Sequence, residues 1–100
     1  MRTYFVVLQR PGSRWDRGRP VREQDLWDEH AKHIDAMFEA EKIVLAGPFA
    51  DGGGSMLILR ARDADEARAM MADDPWNVED VMVPAEVKEW TIFVDGTGAR

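Results

Sequence analysis

Four short apolar runs and two amphipathic stretches follow one another along this chain in the order β-α-β-β-α-β, and few folds accept that order. The decisive joint lies in the middle. The runs Ile43-Val44-Leu45-Ala46-Gly47-Pro48-Phe49 and Ser55-Met56-Leu57-Ile58-Leu59-Arg60-Ala61 are separated by little more than Asp51-Gly52-Gly53-Gly54. A glycine-rich turn between two strand-like runs makes an antiparallel hairpin. Pro48 marks a bulge or an edge position, because proline has no amide to give to a sheet ladder. Upstream, Thr3-Tyr4-Phe5-Val6-Val7-Leu8 reads as a strand buried on both faces, and it stops before Arg10-Pro11-Gly12. Downstream, Val87-Lys88-Glu89-Trp90-Thr91-Ile92-Phe93-Val94 is the last strand, while residues 76–83 fit no single pattern.

The helices are equally legible. Trp27, His30, Ala31, Ile34, Met37 and Phe38 recur at intervals of three and four, with Glu29, Lys32, Asp35 and Glu39 outside the stripe. That spacing predicts an amphipathic helix over residues 23–41, its acids concentrated at the start where the helix dipole favours them. His30 falls within the apolar stripe and His33 at its edge. A second helix begins after Asp63, with Glu66 three residues on as a variant capping box, turns Ala67, Met70 and Met71 inward, and stops before Pro75.

The expected architecture is therefore α+β: a ferredoxin-like four-stranded antiparallel sheet with both helices on one face. The other face is left bare. The first three strands are apolar almost throughout, so a partner must cover that face, and the cheapest partner is a second copy of the chain. A homodimer packed sheet to sheet is predicted.

A chain of 100 residues holds one domain of ordinary size, here residues 1–100, with a long Arg-rich loop at 10–22 and a flexible tail at 95–100. The absence of cysteine removes disulfides, thiol catalysis and Cys-zinc sites. No apolar run approaches a membrane span and the start turns polar too soon for a signal peptide, so a cytoplasmic domain with no membrane partner is expected. Residues 1–22 carry six arginines and one acid, a net of +5, whereas residues 23–100 carry seven basic and eighteen acidic side chains, a net of −11. An acidic body repels phosphate backbones and argues against nucleic acid. The arginines are either a solvated loop leaning on an acidic surface or a site for a small anion or carboxylate.

No Walker loop, GxGxxG or HExxH motif is present, and the glycines at 52–54 lead into a strand, so they form a turn and not a phosphate cradle. His30 is the most informative residue. It is either a satisfied core histidine or a general base or acid whose tautomer a carboxylate would fix. Asp74 is the natural carboxylate, since it ends the second helix, which packs beside the first in this fold; its plain reading is an Asp-Pro helix stop. His30 and His33 could hold a metal with Asp28, Glu29 or Asp74, but no further ligand stands at a set spacing, so no metal is expected. Four tryptophans, Trp15, Trp27, Trp76 and Trp90, serve as core or as flat walls for an aromatic ligand.

Laid out this way, the chain resembles the YCII-related family of small dimeric α+β barrel proteins. The carriers are Trp27-Asp28-Glu29-His30-Ala31, Leu45-Ala46-Gly47-Pro48 and Asp73-Asp74-Pro75-Trp76, with 17 residues from His30 to Gly47. Arg22-Glu23-Gln24 and Trp90 look like those of actinobacterial-type members. The resemblance implies dimerisation through the sheets and a pocket containing a His-Asp pair, which by motif is His30 and Asp74. A small-molecule ligand is expected, with Arg22, Trp27, Trp76, Gly47 and Pro48 as its contacts and Arg22 as the holder of a carboxylate or enolate. One branch of the family performs dehydrochlorination of chlorinated aromatics, and the wider superfamily includes muconolactone isomerases and small monooxygenases. Proton transfer on a small cyclic or aromatic compound, without metal or organic cofactor, is the implied chemistry. Two positions depart from the family: Glu41-Lys42 stands where many relatives have a helix-ending glycine, and Ala46 where many have the first glycine of Gly-Gly-Pro.

Three readings stand at this point. His30, oriented by Asp74, is a general base in an enzyme. Alternatively, the same pocket binds a metabolite without turnover in an accessory protein. Or the pair is a buried polar bond between two helices of a structural dimer module.

Overall fold

The structure, a computed structural model, describes residues 2–98. It consists of β1 (Arg2–Pro11), a short 3-10 helix (Val21–Glu23), α1 (Trp27–Glu39), β2 (Ile43–Pro48), β3 (Ser55–Leu59), α2 (Ala64–Ala72), the one-turn helix α3 (Pro75–Val78) and β4 (Met82–Ile92). The four strands form one antiparallel sheet in the order β2-β3-β1-β4. The expected α+β, ferredoxin-like arrangement is thus present, with α3 added between the second helix and the last strand.

Register explains which residues meet the helices. Phe5, Val7 and Gln9 of β1 stand opposite Leu59, Leu57 and Ser55 of β3. Phe5, Val7, Leu57 and Leu59 share one buried cluster with Met37 of α1 and Ala67 and Met71 of α2. Both long helices therefore cover the same sheet face. Pro48 ends the edge strand β2, and the β2–β3 register shifts between Ile43 and Leu45, so the proline signalled an edge and the strand also carries a bulge.

Several boundaries differ from the sequence reading. The first helix starts at Trp27, not at 23, because Leu26 takes a left-handed conformation (φ 62°) that separates it from the preceding 3-10 turn. The first strand runs on to Pro11, and the ambiguous stretch resolves into α3 and the start of β4, because Arg10 and Pro11 pair with Val83 and Met82. The 10–22 segment therefore begins inside the sheet. Glu41 adopts the left-handed position (φ 61°) that a glycine usually occupies at a helix end. In the tail, the Thr97 amide donates to Asp95 Oδ1 at 2.9 Å; positions 99 and 100 of the expected flexible tail lie outside the described residues.

The segment between β1 and α1 is fastened at both ends. The Gly12 amide donates to the Val81 carbonyl at 2.9 Å and the Arg14 amide to the Asp80 carbonyl at 3.0 Å. A Cβ at Gly12 would lie 2.1 Å from the Asp80 carbonyl oxygen, so only glycine allows this approach. At the other end, Gln24 is 4% exposed and reaches back into the loop. Its Nε2 donates to the carbonyls of Asp16 (2.6 Å) and Arg19 (2.8 Å), and its Oε1 accepts from the Asp16 amide (2.8 Å). Arg14 forms ion pairs with Asp25 and Glu79, and Arg19 with Asp25, which accounts for part of the arginine cluster as a face leaning on acids.

The sheet face away from the helices is partly apolar. Val6 and Leu8 lie opposite Ile58 and Met56, with Leu45 and Gly47 beyond them on β2. Leu45 is 53% exposed, Met56 36% and Trp90 43%, while Tyr4 and Ile58 are already buried. The β4 edge of this face is charged, with Lys88 and Glu86 3.8 Å apart. Among the described residues no helix is long and apolar enough to cross a membrane.

Candidate functional site

Asp74 and His30 meet although 44 residues separate them. α2 ends at Ala72 with Asp73 as its cap, and Asp74, extended as the residue before a proline must be (φ −64°, ψ 124°), caps α3, whose first residue is Pro75. Its Oδ1 accepts from the Trp76 amide at 2.9 Å. The carboxylate is 0% exposed and lies against His30 of α1, with Nδ1 at 3.0 Å from Oδ1 and 2.8 Å from Oδ2. A carboxylate accepts in such a contact, so Nδ1 is the nitrogen that donates to Asp74, and a neutral imidazole held this way has its lone pair on Nε2. Nε2 has no protein partner among the described residues. The Asp-Pro turn and the partnership with His30 coexist in Asp74, while the end of α2 itself falls to Asp73.

The imidazole is also held by stacking. It lies parallel to the Trp76 ring, with centroids 3.8 Å apart and planes 6° apart, and Trp27 flanks it at 5.6 Å. Trp76 is fixed in turn by its indole N–H, which donates to the Asp25 carbonyl at 2.7 Å, and by Trp15 edge-on at 5.7 Å. Two contacts on one ring and a carboxylate behind it leave His30 a single orientation.

His30 borders a cavity of about 250 Å³ between α1 and the sheet. That is below the ~300–1,000 Å³ typical of sites for drug-sized ligands, and suits a single substituted ring. Arg22, Trp27, Trp76, Gly47 and Pro48 all border the same space, so the structure brings together every expected contact residue. Asp74 does not border it; it stands behind the histidine. Gly47 lies opposite Met56, on the outer-face register, and so meets the cavity with its main chain. The remaining wall is mostly apolar, with Ile34, Leu57 and Met82 among its members. Arg22 has no ion-pair partner among the described residues, unlike Arg14 and Arg19.

His33 does not join the site. Its Nε2 donates to the Met70 carbonyl at 2.8 Å, tying α1 to α2. No group of three or more His, Cys, Asp or Glu able to hold a metal occurs among the described residues. Two polar wall residues, Gln9 and Ser55, went unnoticed in the sequence. The signal for Gln9 was its period: it continues the inward series Phe5, Val7, where an apolar residue is expected.

The fold and this arrangement define a small α+β protein with a His-Asp pair beside a cavity between helix and sheet. Residues 1–91 match the YCII-related domain, and the chain belongs to that family. Among solved structures, it is similar to 5-chloro-2-hydroxyhydroquinone dehydrochlorinase from Burkholderia phenoliruptrix AC1100, in complex with 2,5-dihydroxybenzoquinone. The two share 23% identity and a TM-score of 0.58, over 90% of this chain and 94% of that one. Among curated proteins none matches the sequence.

Proposed function

We propose that this protein is an enzyme that transfers a proton on a small cyclic or aromatic compound, with His30 Nε2 as the general base or acid. The observation that carries the reading is the placement of His30: Asp74 Oδ2 lies 2.8 Å from Nδ1, Nε2 has no protein partner among the described residues, and the ring borders the cavity. Removing a proton next to a carbonyl leaves an enolate. If a leaving group sits on the neighbouring carbon, its departure completes an elimination; if the imidazolium returns the proton elsewhere, the outcome is an isomerisation. Asp74 stabilises the imidazolium and holds its orientation. Trp27, Trp76 and Pro48 form the flat walls, and Arg22 stands ready for a carboxylate or enolate oxygen. The relative's dehydrochlorinase activity and quinone ligand favour a ring of this size, and the assigned chemistry needs neither metal nor organic cofactor.

The test is a turnover screen of hydroxylated, chlorinated and lactone rings with His30→Ala as the blank. A single general base contributes ~10²–10⁴-fold, so the blank should lose that much, and Asp74→Asn a comparable part. Activity surviving His30→Ala within threefold rejects the assignment. Rings that bind and emerge unchanged favour the accessory-protein reading, and the absence of any binding favours the structural pair.

A homodimer through the outer sheet face belongs to the same proposal. Leu45, Met56 and Trp90 are the apolar side chains it would cover. Sedimentation of the 11.4 kDa chain should give twice that mass at micromolar concentration.

A further inference from the structure

The inner face of β1 and β3 carries two apolar rungs, Phe5–Leu59 and Val7–Leu57, and then a polar one, Gln9–Ser55. Nothing in the fold requires that change. Gln9 is 4% exposed, its Nε2 donates to Ser55 Oγ at 3.3 Å, and its Oε1 is buried without a hydrogen-bond partner. A buried acceptor left unpaired is destabilising, so its retention asks for an explanation. Both residues border the cavity, on the sheet wall across from Trp27 and His30 of α1.

The backbone holds this rung in place. The register of β1 on β4 shifts between Leu8 and Gln9, where β4 carries the extra residue Ala85, while the ladder of β1 on β3 runs through Gln9–Ser55 without a shift and keeps Gln9 on the inward side. Gly54 presses on the same point: its φ is 123°, and a Cβ there would lie 2.0 Å from the Gln9 carbonyl oxygen.

We propose that Gln9 Oε1, anchored through Nε2 on Ser55, accepts a hydrogen bond from a hydroxyl group of the ring compound held in the cavity. This rests on the reading of the cavity as a ring-binding site and narrows it to hydroxylated rings. An apolar wall tells such rings from their methyl analogues only weakly. A buried acceptor discriminates strongly, because the analogue leaves it unpaired. Gln9 plays no part in proton transfer; it selects and orients the ring on which His30 acts.

The experiment compares hydroquinone with p-xylene, which replaces each hydroxyl by a methyl of similar size. Dissociation constants are measured anaerobically by ligand-observed NMR on the whole chain. The ratio of the p-xylene constant to the hydroquinone constant should fall ~10-fold or more from wild type to Gln9→Leu. Ser55→Ala, which keeps the glutamine but removes its anchor, should lower the ratio by a smaller factor and guards against a folding defect in the first variant. A ratio unchanged within twofold in both variants overturns the proposal while leaving the ring site standing. Failure of both rings to bind the wild type overturns the ring site and this proposal together.

Discussion

The two ends of the helix-covered sheet face are built from the same strands and differ in how they are filled. At one end, Phe5, Val7, Leu57 and Leu59 interlock with Met37, Ala67 and Met71, and all of these are buried. At the other end, Trp76, Val81 and Met82 are the buried centre, with Trp15, Val21, Leu26 and Trp27 packed around them. The first end is filled, and it meets the cavity only at its margin, through Leu57 and Ile34. The second holds the cavity, the His30–Asp74 pair and a glutamine with an unpaired oxygen. Flexible aliphatic side chains collapse onto one another until no gap is left, whereas stiff indoles propped edge to face keep a gap open. The tight packing and the candidate site thus lie toward different ends of one ladder.

The largest effect that would break this contrast comes from Met71, fully buried at the filled end. Met71→Ala should cost ~2–5 kcal/mol of unfolding free energy while leaving ring affinity unchanged, provided the variant is measured below its unfolding transition. Trp27→Ala should do the reverse: a loss of ring affinity on the order of tenfold with a smaller change in stability. Equal stability losses in the two variants would erase the distinction between the ends.

A smaller effect is expected on the opposite face of the sheet. Leu45→Glu puts an unpaired charge into the proposed dimer interface and should weaken dimerisation ~10–100-fold by sedimentation, without altering the cavity. Since stability of a dimer depends on concentration, the comparison is made at one protein concentration.

The smallest effect concerns Asp80. Its carboxylate accepts from the Ser13 hydroxyl and from the Ser13 amide, and Arg10 lies nearby, so its pKa is held below the ordinary value of 3.8. A lowered folded-state pKa contributes stability that is present above 3.8 and is lost as the pH falls through the folded value. Asp80→Asn, a residue that also tolerates the left-handed backbone found here (φ 60°), should flatten the acid limb of the stability curve slightly. An unchanged acid limb would mean that the Ser13 contacts do not persist in solution.

Much of this fold was legible because its signals are local. The glycine turn at 52–54, the Asp63 cap, whose Oδ1 accepts from the Glu66 amide at 2.8 Å, and the stripe through Trp27, His30 and Ile34 each act within a few residues. The His30–Asp74 contact spans a long separation, yet the order of elements already placed the two helices side by side. What local pattern could not give was pairing. The true lengths of β1 and β4 depend on Arg10 and Pro11 meeting Val83 and Met82. The start of α1 depends on Leu26, whose strained backbone is imposed by its surroundings and not by its side chain. Gln9 looked like an ordinary polar residue at a strand end, and its meaning came only from the atoms that surround it.

The clamp on the Arg-rich segment has a consequence for how such a protein can diversify. Gly12 and Arg14 fasten one end to Asp80 and Val81, and Gln24 fastens the other to Asp16 and Arg19. The span between those fastenings contributes Val21 and Arg22 to the mouth of the cavity but no strand to the sheet. Its exposed arginines can therefore be recharged without disturbing the sheet, while Trp15, Val21 and Gln24 hold its course. Exchange of this one segment between relatives would change the charge beside the cavity while leaving the sheet and the His30–Asp74 pair as they are.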